Sequence, residues 1–254
     1  MSKPEPPFFV GYLPTPQALA RFYQPLVLVL VVGCAMLGYW LGAQQKPGAP
    51  AVWAVGAATT MSGVLQVDPY PVLHRVHPED PARIESVLLV RQGKFAATGL
   101  ARELDGKAVD VTGARISRGG WTMLEVSSGG SFAPADGVEI KAITDRLGTE
   151  SLGKIVLAGE IVDSKCFLGV MKPGAGAIHK SCAEVCLLGG IPSMLVAKAS
   201  DDRKYGYILV RPDGTSASTL TAKLAGEAVR ITGELERRGD LLYLRMAENG
   251  LERI

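Results

Sequence analysis

Residues Leu26 to Ala43 (LVLVLVVGCAMLGYWLGA) form an uncharged Leu/Val-rich run, and beyond it the apolar positions fall into short runs separated by Gly, Asp and Arg-Gly. The two patterns predict different elements. At 1.5 Å rise per residue the first run makes a helix of about 27 Å, close to the ~30 Å hydrocarbon core of a bilayer. Tyr39 and Trp40 near its end suit a membrane interface. A cleaved signal peptide would be shorter, closer to the initiator Met and closed by small residues. Ala43 imitates such a site, but length and position favour a retained anchor at 26–43, behind a tail at 1–25. Pro16 to Tyr23 reads as a short amphipathic lead-in to it.

Lys3 and Arg21 precede the run, whereas Lys46 alone follows it closely. Positive-inside reasoning then keeps the tail in the cytoplasm and exports the C-terminal region across an inner membrane into the periplasm. Pro47 to Val67 is also uncharged. It is rich in Gly, Ala, Thr and Pro rather than Leu or Ile, so a second span, which would return the soluble part to the cytoplasm, is not expected.

The short runs predict strands, and they are written twice. Residues 103–126 (ELDGKAVDVTGARISRGGWTMLEV) align without gaps on 223–246 (KLAGEAVRITGELERRGDLLYLRM) at an offset of 120. Leu104, Gly106, Val109, Thr112-Gly113 and Arg118-Gly119 fall on Leu224, Gly226, Val229, Thr232-Gly233 and Arg238-Gly239. Glycines, apolar positions and register agree together, which marks two copies of one unit. The runs VLLV, AVDVTG and TMLEV, then YILV, AVRITG and LLYLRM, have the spacing of a small all-β domain. The expected fold is mainly β: the anchor, a linker at 44–58, a first small OB-like barrel at 59–128, a linker at 129–150, and a second barrel at 151–254. Val138 to Ile143 reads as an extra strand in the linker, and Ser216 to Leu224 as a short helix between strands.

Hydrophobic content of 47% reflects the anchor, and a net charge of +2 without a basic stripe gives no case for a nucleic-acid partner.

The chemistry lies where the copies differ. Gly159 to Val162 occupies the place of Gly63 to Val67, at an offset of about 96, so the second copy carries an insertion of about 24 residues within 166–192. That segment holds Cys166, Cys182 and Cys186 of the four cysteines, together with His179. The fourth, Cys34, sits in the anchor as a small apolar packing residue. His179, Cys182 and Cys186 stand at i, i+3 and i+7, so a helix projects all three from one face. Gly189-Gly190 stops that helix. The Pro-Gly-Ala-Gly loop at 173–176 folds Cys166 back towards it.

Three thiols and an imidazole in reach of each other are the soft donors a metal site needs. Zinc is the common ion for such a set. Copper fits an exported domain, with Met171 and Met194 as further soft donors, and an iron–sulfur cluster is a third choice. The segment CAEVC is similar to the Cys-x-x-x-Cys loop of binuclear-copper and copper-chaperone proteins. It departs from the binuclear pattern at Gly190, which stands where the histidine of that loop falls, and in a methionine displaced by one position. Asp163 reads as an exposed strand-end carboxylate, with a role behind His179 as the alternative, and Lys165 lies beside Cys166 in the sequence.

Two other readings compete with metal binding. In one the thiols serve disulfide chemistry, as a structural staple or as a thiol–disulfide oxidoreductase using Cys182 and Cys186; in the other one cysteine acts as a nucleophile with His179 as its base. Gly174 to Ser181 (GAGAIHKS) nearly fits a phosphate loop, but His179 replaces the second glycine and no α/β unit surrounds it, so no nucleotide is expected. His74 and His77 lie in a turn-rich stretch and read as solvated. The chain lacks paired carboxylates, a Ser-His-Asp arrangement and a dinucleotide fingerprint. It is expected to be a non-catalytic accessory subunit of a membrane redox complex, with the membrane and other subunits as partners.

Overall fold

A computed structural model describes residues 15–44, 50–127, 131–198 and 204–254. The chain divides into two units, 1–48 and 49–254.

The first unit is helix α1 (Gln17–Gln44), which takes in both the expected lead-in and the apolar run without a break. Pro25 lies inside it and removes one backbone donor. Over Leu19–Gln44 this helix is long and apolar enough to cross a membrane. Its apolar side chains, Leu28, Val29 and Leu37 among them, are exposed. Cys34 lies on the same helix and is exposed.

The second unit is mainly β. Strands β1 (Ala51–Gln66), β2 (Val72–Val76), β3 (Ile84–Arg91), β4 (Phe95–Ala96), β5 (Ala108–Arg118), β6 (Trp121–Val126) and β7 (Phe132–Pro134) form one sheet, with helices α2 (Thr98–Ala101) and α3 (Ile140–Thr144). Its order is β1-β2-β3-β6-β5-β7, with β4 beside β3 and β1 also paired to β5. Strands β8 (Glu150–Asp163), β9 (Ser193–Lys198), β10 (Lys204–Val210), β11 (Ala228–Arg238) and β12 (Leu241–Arg253) close a five-stranded barrel, accompanied by α4 (Lys180–Leu188) and α5 (Ser218–Thr221).

The pairings of the two sheets correspond. β3 runs parallel to β6, and β10 runs parallel to β12; the matching β1–β2 and β8–β9, β2–β3 and β9–β10, β1–β5 and β8–β11, and β5–β6 and β11–β12 pairs are antiparallel. β5 and β11 begin 120 residues apart, as do α2 and α5 and the 3-10 turns Arg102–Leu104 and Ala222–Leu224. The physical reason is alternation: Val109 and Val111 turn inward on β5, as Val229 and Ile231 do on β11, with polar neighbours facing out. Between β8 and β9 the chain makes the excursion that contains the thiols, whereas β1 and β2 are joined by five residues.

Four sequence expectations change. β1 starts at Ala51, inside the stretch expected to be linker, because its residues 51–53 and 58–64 pair with β5. The 129–150 segment is more than a linker, since β7 adds to β5; residues 128–130 lie outside the described residues. Ile140–Thr144 is helical rather than extended, and it packs Ile143 against Val64 and Ile84, with Val138 and Leu147 beside them. β8 starts at Glu150, well before Gly159.

A shared core joins the two sheets. Tyr70, Leu88, Ile116 and Met123 of the first pack with Val162, Met194, Ile208 and Tyr243 of the second. Cys166, Phe167, Leu168 and Cys186 of the excursion lie in this same cluster. Leu168 is fully buried there, a placement worth about 1.5–3 kcal/mol of apolar transfer. The thiol segment is therefore part of the seam between the sheets.

Candidate metal centre

β8 ends at Asp163, and three residues later Cys166 opens a π-type turn, Cys166–Val170. Asp163 Oδ1 accepts the Cys166 amide at 2.9 Å, which ties the strand end to the turn. The loop then returns close beneath it. A Cβ added to Gly174 would stand 2.3 Å from the Cys166 carbonyl oxygen, so the close return requires glycine there. The 3-10 turn Ala177–His179 leads into α4, whose N-cap position is His179. Cys182 and Cys186 follow on the helix as expected. Gly190, at φ +87°, turns the chain into β9.

The excursion brings the donors together in two overlapping groups. Ligand atoms of Cys166, His179 and Cys182 lie within 4.8 Å of one another, and so do those of Asp163, Cys166 and Cys186. Cys166 belongs to both. Tetrahedral zinc with Zn–S bonds of about 2.3 Å needs sulfurs about 3.8 Å apart, a spacing near that within each group, although neither group contains both His179 and Cys186. These Cys/His groups can hold a metal ion. All four cysteines of the chain are free thiols.

His179 is 4% exposed and its Nε2 lies 3.1 Å from Oδ2 of Asp163, whose side chain is fully buried. The exposed strand-end carboxylate expected for Asp163 is thus corrected: a buried carboxylate must be hydrogen-bonded, and this one serves His179 and the Cys166 amide. With the Nε2 proton donated to Asp163, the free lone pair of the imidazole is on Nδ1.

The sulfurs differ electrostatically. Donation of the Cys166 thiol to Cys186, followed by burial and the nearby Asp163 charge, pushes the Cys166 thiol up. Acceptance of that bond pulls Cys186 down against its own burial. Cys182 is half-buried and receives Lys94 Nζ at 3.0 Å.

The two methionines differ in burial. Met194 is buried on β9, its sulfur beside Gly206, within the cluster that holds Cys166 and Cys186. Met171 is 44% exposed and follows the π-type turn. Lys165 turns to the Arg91 and Gly93 carbonyls and to Glu125. Lys94 gave no signal in the sequence, because it comes from the other sheet 88 residues away from Cys182. The one local hint was Gly189-Gly190, which does more than stop the helix: its backbone also meets the turn carrying Lys94.

Away from this centre, His74 is buried rather than solvated, between Ser86 Oγ at 3.0 Å and Gln66 Oε1 at 3.0 Å. The strand β2 places it inward despite its turn-rich flanks. His77 remains half-buried and accepts backbone amides of Glu79 and Asp80.

No protein-family model matches the chain, and no curated protein matches it in sequence.

Proposed function

We propose that this chain is a membrane-anchored accessory subunit whose exported domain holds a metal ion, zinc in the first place, at Cys166, His179, Cys182 and Cys186. The observation that carries the reading is the pairing of His179 with buried Asp163 beside the thiols. A carboxylate behind a histidine fixes the tautomer and ring orientation and raises its basicity, the usual arrangement behind a metal-ligating imidazole. Copper shares the soft thiolate preference, and an iron–sulfur cluster uses the same sulfurs.

Two copies of one OB-like barrel, the second enlarged by the excursion, account for the matched strand pairings and the 120-residue spacing. The charge balance around α1 supports a cytoplasmic tail and a periplasmic domain at the inner membrane. The candidate anchor found among the described residues, together with the thiol group, supports a subunit of a membrane redox complex.

The test is elemental analysis of the full chain, purified anaerobically in mild detergent, with co-purifying proteins identified. Near-stoichiometric metal, lost in Cys166→Ser, is expected. A metal-free protein that is fully folded would overturn the reading.

A second reading has its own support. The donor–acceptor pair Cys166–Cys186, one thiol raised and the other lowered, is the asymmetry of a thiol–disulfide centre. It involves Cys166 and Cys186 rather than Cys182 and Cys186. Turnover with a disulfide substrate by the metal-free protein would favour it.

A further inference from the structure

The ligands of the centre all come from one excursion, yet the charge beside them comes from the other sheet. Lys94, in the turn between β3 and β4, donates from Nζ to Cys182 Sγ at 3.0 Å and to the Cys182 carbonyl at 3.3 Å. A long, flexible lysine side chain normally keeps its ammonium in water and loses rotamer freedom when pinned.

The turn is held on both flanks. On one, the Ala96 amide donates to the Gly189 carbonyl at 2.9 Å. A Cβ on Gly189 would stand 1.8 Å from the Lys94 carbonyl oxygen, so this approach exists only with glycine at that position. On the other, Lys165 Nζ donates to the Arg91 carbonyl at 3.0 Å and to the Gly93 carbonyl at 2.7 Å, and pairs with Glu125 at 2.5 Å. Lys165 precedes Cys166, and Gly189 follows α4, so the two clamps lead to the two segments that carry the sulfurs.

Charge explains what such an arrangement accomplishes. A divalent ion with three thiolates and a neutral imidazole has one net negative charge, and Asp163 beside it adds another. Cys166, Cys186, His179 and Asp163 are buried, and uncompensated charge in such surroundings is costly. An ammonium on a donor sulfur offsets it directly and draws electron density from that sulfur.

Resting on the metal reading above, we propose that Lys94 is a positioning and charge-balancing residue of the centre, so that the first sheet completes a site whose ligands all lie in the second. The experiment uses the full chain in detergent, titrated anaerobically with Co2+ and followed by the sulfur-to-cobalt charge-transfer absorption. Lys94→Met should weaken Co2+ binding about tenfold and move that absorption to longer wavelength, because a thiolate without its ammonium partner gives up an electron more easily. Lys94→Arg should recover most of both. Wild-type affinity with an unshifted band in Lys94→Met would overturn the proposal while leaving the metal reading intact. So would equal weakening in both variants with no shift, since that is the mark of a merely structural contact. Failure of the wild-type chain to bind Co2+ would overturn both.

Discussion

Asp163 and His179 meet at 3.1 Å, Oδ2 to Nε2, with both side chains closed off from solvent. Asp163 also accepts the Cys166 amide through its other oxygen. One carboxylate thus orients the histidine and the first cysteine at once. Asn has a single acceptor oxygen, so Asp163→Asn keeps the volume and loses one of the two bonds. Metal affinity should fall about 10–100-fold while the fold survives. Competition against a chromophoric chelator measures the affinity, and an unchanged affinity would detach Asp163 from the centre.

The overlap of the two donor groups ranks the cysteines. Cys166 is common to both, whereas Cys186 is absent from the Cys166–His179–Cys182 group. Cys166→Ser should therefore abolish stoichiometric metal. Cys186→Ser should retain the ion at lower affinity, because three donors remain and zinc readily keeps a fourth position open. Metal-to-protein ratios after gel filtration distinguish the variants. Equal loss in both would mean that all four donors are needed together.

Much of the architecture could be read from periodicity. The 120-residue spacing and the inward valines Val109, Val111 and Val229 located β5 and β11, and the i, i+3, i+7 spacing placed Cys182 and Cys186 on one helix, with His179 at its N-cap position instead of on it. What sequence patterning missed is long-range. Whether Asp163 faces water or His179 depends on the return of the chain 16 residues later, and the side-chain alternation of β8 leaves both outcomes open. Lys94 reaches Cys182 only because two sheets are joined along a common core. Ile143 misled because an apolar residue every second or third position suits either a strand or a short helix, and tertiary contact with Ile84 decides it.

Tyr70 tests that joint directly. It is 1% exposed, and its hydroxyl donates to the Leu209 carbonyl at 2.8 Å while accepting the Ala217 amide at 2.9 Å. These bonds carry a first-sheet side chain into the second barrel. Tyr70→Phe removes the hydroxyl and strands both backbone groups where water does not reach them. A loss of about 1–3 kcal/mol is expected from such unpaired groups. Urea unfolding of the full chain in detergent reports it through the midpoint. A loss below about 0.5 kcal/mol, the range of ordinary surface changes, would show that the joint does not depend on this hydroxyl.

His74 makes stability depend on pH. Its ring nitrogens are taken by Ser86 Oγ and Gln66 Oε1, an arrangement complete with a neutral imidazole. Burial first, and then the nearby Arg238 charge, lower its pKa to about 4 from the ordinary imidazole value of about 6.5. The unfolded chain protonates at the ordinary value, so between about pH 6.5 and pH 4 it binds more protons than the folded one. The contribution of His74 is fully present above that window and is lost as pH falls through it, by about 3 kcal/mol at most. Comparing wild type with His74→Gln isolates the effect from the carboxylates, which titrate in both. Wild type should lose stability more steeply than the variant from pH 6.5 to pH 4, and run parallel to it above pH 7. Parallel curves across the acidic window would show that His74 does not become protonated on unfolding.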